Sequence, residues 1–320
     1  MAFLIGTDEA GYGPNLGPLV VSASVWRVPD SLIHCDLYQQ LSRCVNADVS
    51  SMTEKQVAIC DSKQLYKPKG TLADLETGVL SCLGCVRKTP ANWTSVWEQL
   101  APQSFYALRK VVWYRDFDRA IPVHADADEI TSKKDTFQVE TKKAQVELCA
   151  LESIAILPEQ FNQMIEELGT KSSALSNVTL DLVCRMVDKF SDEPTKIVCD
   201  KHGGRNNYAS LLQPRFNDQL VKVRCEGRAE SSYEISTTAT PIEISFRAKG
   251  ESFLPSALAS MASKYLRELA MLAFNQFWSD HVEGLSPTAG YPVDAKRFKK
   301  DIEPAQKQLG ISDELLWRVR

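Results

Sequence analysis

Phe3-Leu4-Ile5-Gly6-Thr7-Asp8-Glu9-Ala10-Gly11-Tyr12-Gly13-Pro14-Asn15-Leu16-Gly17-Pro18-Leu19-Val20-Val21 opens the chain and decides how the rest is read. An apolar run ends in two adjacent carboxylates, and a turn made of glycine, proline and asparagine follows at once. A Val-rich run over 19–26 comes next. Two apolar runs joined by such a turn predict a hairpin whose loop lies near the end of a sheet. The end of a strand is a stiff place from which to present a carboxylate, so Asp8 and Glu9 are the first candidates for chemistry.

Working outward, the same pattern recurs. Lys196-Ile197-Val198-Cys199-Asp200 is a short apolar strand ending in an aspartate, with Gly203-Gly204 just beyond. Glu251 stands just ahead of a long helix predicted from Pro255, since proline is tolerated in a first turn. That helix carries an apolar stripe of Leu254, Leu258, Met261, Tyr265, Leu269 and Leu272, at helical spacing. A second stripe holds Ser256, Ser260, Ser263, Lys264 and Arg267. Further strands are expected over 146–156, 221–225 and 233–235, and helices over 161–168 and 175–190.

Residues 88–140 have weaker periodicity, three prolines, several tryptophans and an acidic stretch followed by Lys133-Lys134. They read as an insertion or a lid-like subdomain, with the tryptophans in its core. A basic run, Lys296-Arg297 and Lys299-Lys300, marks the C-terminal part. It reads either as a grip on a duplex backbone or as a solvated helix face.

The whole chain sets bounds on these readings. At 320 residues it is long enough for one large domain, or for one carrying an insertion. The 44% hydrophobic and 24% charged residues suit a packed core. No apolar run approaches the roughly 18 residues of a membrane span, and no basic segment precedes an apolar one as in a signal peptide. Nine cysteines, an odd number scattered along the chain, read as reduced thiols in a cytoplasmic protein rather than a disulfide framework. Cys82-Leu83-Gly84-Cys85 has no second pair at zinc-finger spacing. A net charge of −4 and a pI near 5.7 give no general basic footprint, so any nucleic-acid binding must use local patches.

Acids from three separate stretches would repel one another on meeting unless cations compensated. Oxygen-only ligands suit Mg²⁺ or Mn²⁺. Two such ions about 4 Å apart can stabilise both the attacking and the leaving oxygen of a phosphodiester. The plainer alternative is that the acids are separate caps, Asp8 at a turn and Glu251 at a helix N-terminus.

The order of the motifs separates these readings. Gly6-Thr7-Asp8-Glu9-Ala10-Gly11-Tyr12-Gly13-Pro14 with Gly17-Pro18-Leu19-Val20-Val21 resembles the opening motif of the type 2 ribonucleases H (ribonuclease HII). Asp61-Ser62-Lys63-Gln64-Leu65 is similar to that family's Asp-Ser-Lys-Lys-Leu segment, and Ile197-Val198-Cys199-Asp200 to its third acidic strand. Lys249-Gly250-Glu251-Ser252 and the Ser/Ala-rich run over 256–264 with Arg267 resemble its fourth acid and the helix after it. Gly290-Tyr291 before a basic helix resembles its C-terminal Gly-Tyr motif. These matches stand in the family's order and loosely cover residues 1–85 and 145–310.

The resemblance implies an α/β, ribonuclease H-like fold, a mixed central sheet flanked by helices. Residues 1–87 and 141–285 would form the catalytic core, 88–140 an insertion, and 286–320 a C-terminal helical segment. It implies an endonuclease that cleaves the RNA strand of RNA/DNA hybrids, or cuts at ribonucleotides in duplex DNA, with two Mg²⁺ or Mn²⁺ ions on Asp8, Glu9, Asp200 and Glu251. Gly11 and Gly13 would let backbone approach the ribose, whose 2′-hydroxyl marks RNA, and Tyr291 would stack on a sugar. Lys63, Ser256, Ser260 and Lys264 would face the phosphates.

The chain departs from the family in four places. Tyr12 replaces the arginine of the usual Gly-Arg-Gly, which bears on substrate preference, and Glu251 stands where an aspartate is usual. The insertion and the Lys201-His202-Gly203-Gly204-Arg205-Asn206-Asn207-Tyr208 stretch are unusual. In that stretch Arg205 could supply the cation that Tyr12 does not, and His202 could move a proton. The competing functions are a diverged relative that binds or cuts another nucleic-acid structure, and a scaffold that docks a partner through the insertion. A mononucleotide or dinucleotide site at the glycines fits poorly. The loop lacks a Gly-Lys-Ser/Thr ending, and it leads into a strand rather than a helix.

Overall fold

The first strand, β1 (Ala2–Ala10), is buried along nearly its whole length, which is what a central strand covered on both faces requires. Its side chains alternate between two cores. Ala2 and Leu4 point into one, and Phe3 and Ile5 into the other. β2 (Leu19–Val28) pairs with it antiparallel, with Asp8 opposite Ser22. The other strands of the main sheet are β3 (Glu147–Ile156), β4 (Thr195–Asp200), β5 (Leu220–Glu226), β6 (Glu230–Ser236) and β7 (Ile242–Arg247). They form one seven-stranded sheet in the order β3-β2-β1-β4-β7-β6-β5. β4 lies parallel to both β1 and β7, and the remaining pairs are antiparallel. In this computed structural model the described residues are 1–66, 70–190, 193–217, 219–236 and 240–319.

Helices cover both faces, giving three layers. In chain order the long ones are α1 (Ala73–Val86), α2 (Trp93–Leu100), α3 (Ala127–Lys143), α4 (Pro158–Leu168), α5 (Lys171–Lys189), α6 (Leu254–His281) and α7 (Pro292–Gln308). α5 packs on the Phe3/Ile5 side and α6 on the Leu4 side. The mixed central sheet flanked by helices is therefore what the chain forms. Pro255 sits in the first turn of α6, as its sequence position predicts. Strand β7 is not among the strands that the sequence predicts.

α6 lies unusually close to the sheet because small residues face each other there. A Cβ on Gly6 would fall 2.0 Å from the Ser256 amide nitrogen. Serine hydroxyls bridge the remaining gap. Ser24 donates to the Pro255 carbonyl at 2.7 Å, Ser256 to the Val198 carbonyl at 3.0 Å, and Ser263 to the Asp8 carbonyl at 3.0 Å. Each of these three buried hydroxyls has a partner, as burial demands.

The stretch expected to be an insertion is helical and shares the larger core. Asn92 and Ser95 form a reciprocal cap on α2. Trp93, Trp97 and Trp113 are buried, as expected of them. Trp93 donates its indole N–H to the Leu269 carbonyl of α6 at 3.0 Å, and Trp113 meets Phe274 edge-on at 5.3 Å. Glu76 of α1, wholly buried, accepts from the amides of Val123, His124 and Ala125 and from the Tyr265 hydroxyl. The weak periodicity of this segment follows from short helices that bury aromatic rings on several sides. All nine cysteines are free thiols, Cys82 and Cys85 included. No helix among the described residues is long and apolar enough to cross a membrane.

Candidate metal centre

Parallel pairing of β1 with β4 sets Thr7 beside Cys199, so both strands end at the same edge of the sheet. Asp8 and Glu9 leave from one strand and Asp200 from the other. One carboxylate oxygen from each of the three lies within 4.8 Å of the others. This is the convergence that the two charged strand ends predict. Asp8 is 8% exposed, while Glu9 and Asp200 are half-buried.

Crowding and burial push these acids toward their protonated forms. Asp8 rises to about 8, mainly through loss of water and then through the charges of Asp200 and Glu251, with a hydrogen bond from Ser260 opposing. Glu9 moves well above the ordinary carboxylate range through burial and the Asp8 charge, and Asp200 rises through burial and Glu251. The Gly250 amide, 3.3 Å from Asp200 Oδ1, partly offsets that rise. Three acids held in this state have no strong cation among themselves. An oxygen-ligated divalent ion fits that donor set.

Glu251 stands at the rim rather than among the three. It sits in a single 3-10 turn (Gly250–Ser252) before α6, and its charge is felt by Asp8, Glu9 and Asp200. Lys63 is on the same side and exposed. Burial pulls its ammonium down, but Asp61, Glu251, Asp8 and Asp200 outweigh that and raise it. Asp61 caps its short helix through the Lys63 amide, and Ser62 meets Ser260 at 3.2 Å. The Asp-Ser-Lys segment thus lies against the acidic cluster.

The helix serines have internal partners. Ser260 bonds to Asp8, and Ser256 is wholly buried against Val198. Lys264 is drawn to Glu268 at 2.6 Å and lies over the Tyr66 ring. Tyr291 is 54% exposed and follows Gly290, whose carbonyl accepts from the Asn15 amide at 2.8 Å and the Leu16 amide at 3.3 Å. The Gly-Tyr motif is thereby tied to the glycine loop. In the basic run, Arg297 pairs with Asp294 and Asp301, and Lys299 with Asp313.

Gly11 has φ +92°, a left-handed backbone that favours glycine. A side chain on Gly13 would meet open space. Between them Tyr12 packs against the second glycine loop, where a Cβ on Gly203 would lie 2.7 Å from its hydroxyl. Burial and the Glu9 charge raise the Tyr12 phenol, and Arg205 opposes them. Tyr12, Glu9 and Arg205 are therefore neighbours. Arg205 donates to Ser173 Oγ at 3.2 Å, and its Nε has no partner among the described residues. His202 is not available for proton transfer. It is buried between Tyr208 and Phe246 and bonded to Ser176, and burial followed by Arg205 pulls it down to about 3.

No family model and no curated protein matches the chain. Solved structures that match along nearly its whole length include ribonucleases HII and HIII. One is the ribonuclease HII of Archaeoglobus fulgidus, solved in complex with PCNA. It is 14% identical with a TM-score of 0.47, covering 99% of this chain and 94% of that one. Another is ribonuclease H2 of Pyrococcus horikoshii OT3, 15% identical with a TM-score of 0.39, covering 98% and 92%. A third is Bst-RNase HIII, solved with Mn²⁺. It is 15% identical with a TM-score of 0.44, covering 99% of this chain and 66% of that one.

Proposed function

We propose that the chain is a divalent-metal-dependent endonuclease of ribonuclease H type, cutting the RNA strand of RNA/DNA hybrids or the backbone at a ribonucleotide in duplex DNA. The observation that carries this reading is the meeting of Asp8, Glu9 and Asp200 at one sheet edge. Their raised affinity for protons makes a cation the natural replacement. Two Mg²⁺ or Mn²⁺ ions would neutralise charge on the attacking and leaving oxygens of the phosphodiester.

On this reading Asp8, Glu9 and Asp200 hold the metal and Glu251 completes the set from the rim. Ser260 fixes the Asp8 carboxylate. Lys63, beside the cluster and exposed, contacts a phosphate, and Lys264 reaches one only by giving up its pairing with Glu268. The backbone of Gly11 and Gly13 approaches the ribose, and Tyr291 stacks on the sugar. Ser256 supports α6 from inside and does not contact the strand.

A second reading has the same centre act on a different nucleic-acid structure. Tyr12 favours it, because a phenol beside Glu9 offers no permanent cation to a phosphate. Arg205, adjacent to Tyr12, supplies one on the first reading. Assaying an RNA/DNA hybrid, a duplex with a single ribonucleotide and a plain DNA duplex in Mg²⁺ and in Mn²⁺ separates the two. Cleavage confined to ribose-containing duplexes is expected. Cutting of plain or branched DNA alone would favour the second reading, and inert material with all substrates would remove both. Loss of ribonucleotide binding in Arg205→Ala is the expected sign of the Arg205 role.

A further inference from the structure

We infer that Arg318, from the far end of the chain, is a positioning residue that sets the Gly11–Pro14 turn from beneath and so orients the backbone facing the substrate. This rests on the proposed function for its substrate, though not for its geometry. The guanidinium is 0% exposed. Its Nη2 donates to the Gly11 carbonyl at 2.5 Å and also to the Pro14 carbonyl. One planar group thus spans both ends of the turn that contains Tyr12 and Gly13.

The rest of the tail fixes that group in place. The Arg318 amide donates to the Asn15 carbonyl at 2.8 Å, and Asn15 Nδ2 returns a bond to the Arg318 carbonyl at 2.9 Å. On either side, Asn162 of α4 donates to the Trp317 carbonyl and accepts from the Val319 amide, both at 2.8 Å. The guanidinium carbon lies 4.9 Å from the centre of the Phe161 ring, a cation–π contact. Arg267 of α6 completes the cradle from the other side. It donates to the carbonyls of Leu16, Pro18 and Ala289 at 2.8–3.1 Å.

A buried arginine usually faces a carboxylate. Here Arg318 has no ion-pair partner among the described residues, and its Nε and Nη1 have no hydrogen-bond partner. The hydrogen bonds of so costly an arrangement all go to loop carbonyls. The consequence follows from peptide geometry. In a trans peptide the carbonyl and the next amide N–H point in opposite directions. The Pro14 carbonyl turns in to Arg318, and the Asn15 amide turns away to Gly290. With the Gly11 carbonyl also turned in, the Tyr12 amide faces away from Arg318. Both bonds leave from Nη2 alone; a lysine ammonium also carries several donors and the charge, but lacks the planar face that lies against Phe161.

The test compares the full-length chain with Arg318→Met and Arg318→Lys. The affinities for a one-ribonucleotide duplex and for the same duplex in all-DNA form are measured in Ca²⁺, and their ratio is unaffected by loss of folded protein. Amide exchange of Gly11, Tyr12, Gly13, Asn15 and Leu16 is followed in parallel, without nucleic acid. Arg318→Met should lower the affinity ratio at least tenfold and speed exchange in the turn at least tenfold. Arg318→Lys should recover part of both, and Mn²⁺ affinity should stay within twofold. Wild-type values of both readouts in Arg318→Met would overturn the inference. Where Arg318→Met does not fold, the same readouts on Arg318→Lys decide, and wild-type behaviour there overturns it. Where the unaltered chain itself does not prefer ribose, it is the proposed function that fails. Exchange in the turn then decides alone whether Arg318 sets it.

Discussion

Asp200 shows how a single side chain divides its energy between fold and function. It is half-buried at the end of β4, takes amide hydrogen bonds from Gly250 and Lys201, and faces Glu251, Asp8 and Glu9, with the Lys63 charge opposing them. Replacing it with asparagine keeps the shape and removes a charge. Metal-free Asp200→Asn should therefore be more stable than the parent at pH 8, because asparagine brings no charge to bury and none to repel Asp8 and Glu9. The same change should weaken Mn²⁺ binding about tenfold or more and abolish cleavage, because a ligand matters at least as much as its supporting shell. Urea unfolding and Mn²⁺ calorimetry check the two halves. A variant that is less stable without metal, or that binds Mn²⁺ as tightly as the parent, contradicts the account of this cluster.

At the scale of elements, the contact between β1 and α6 places the site. Gly6 is the tightest point, with the Pro255 carbonyl carbon 2.2 Å and the Ser256 nitrogen 2.0 Å from where a Cβ would stand. Both are backbone atoms, so neither can swing aside. Gly6→Ala should push α6 off the strand and cost about 3 kcal/mol, at the upper end for overpacking. It should also loosen Asp8, whose carbonyl and carboxylate are held by Ser263 and Ser260 of α6. A fall in urea midpoint together with weaker Mn²⁺ binding is expected, and unchanged values of both would show that the contact is slack. This element was largely legible in advance. Pro255, the apolar period and the serine stripe mark α6, and the two apolar runs ending in acids mark β1 and β4. What the residues did not reveal is which way the serines look. Helical spacing puts Ser256, Ser260 and Ser263 on one face but does not say whether that face meets nucleic acid or a sheet. Arg318 gave no signal either, because a lone basic residue near a terminus is indistinguishable from a solvated one until the tail is seen to fold back. Segment 88–140 was obscure because buried rings without a regular period obey neither the helical nor the strand template.

For the whole molecule, stability and metal binding are linked through protons. Asp8 is near 8 in the folded chain against an ordinary value of 3.8, and Glu9 and Asp200 are raised too. A folded state that holds protons more tightly than the unfolded chain loses stability as pH rises between the two values. For Asp8 the contribution is complete below about pH 4 and lost as pH climbs through about 8. Metal-free protein should therefore show a Tm that declines from pH 5 to pH 8.5, a window in which most surface carboxylates are already ionised. A divalent cation reverses the sign locally. It binds the ionised cluster, so its affinity grows as the protons leave, and it stabilises only the folded form. The gain in Tm on adding saturating Mn²⁺ should be small at pH 5.5 and several degrees larger at pH 8. Because α2, α3 and α6 share one core around Trp93 and Trp113, that gain should appear as a shift of one transition rather than of a sub-transition. Scanning calorimetry across pH with and without Mn²⁺ measures all of this. A metal-induced shift of equal size at both pH values would mean that the cation does not compete with protons at Asp8, Glu9 and Asp200.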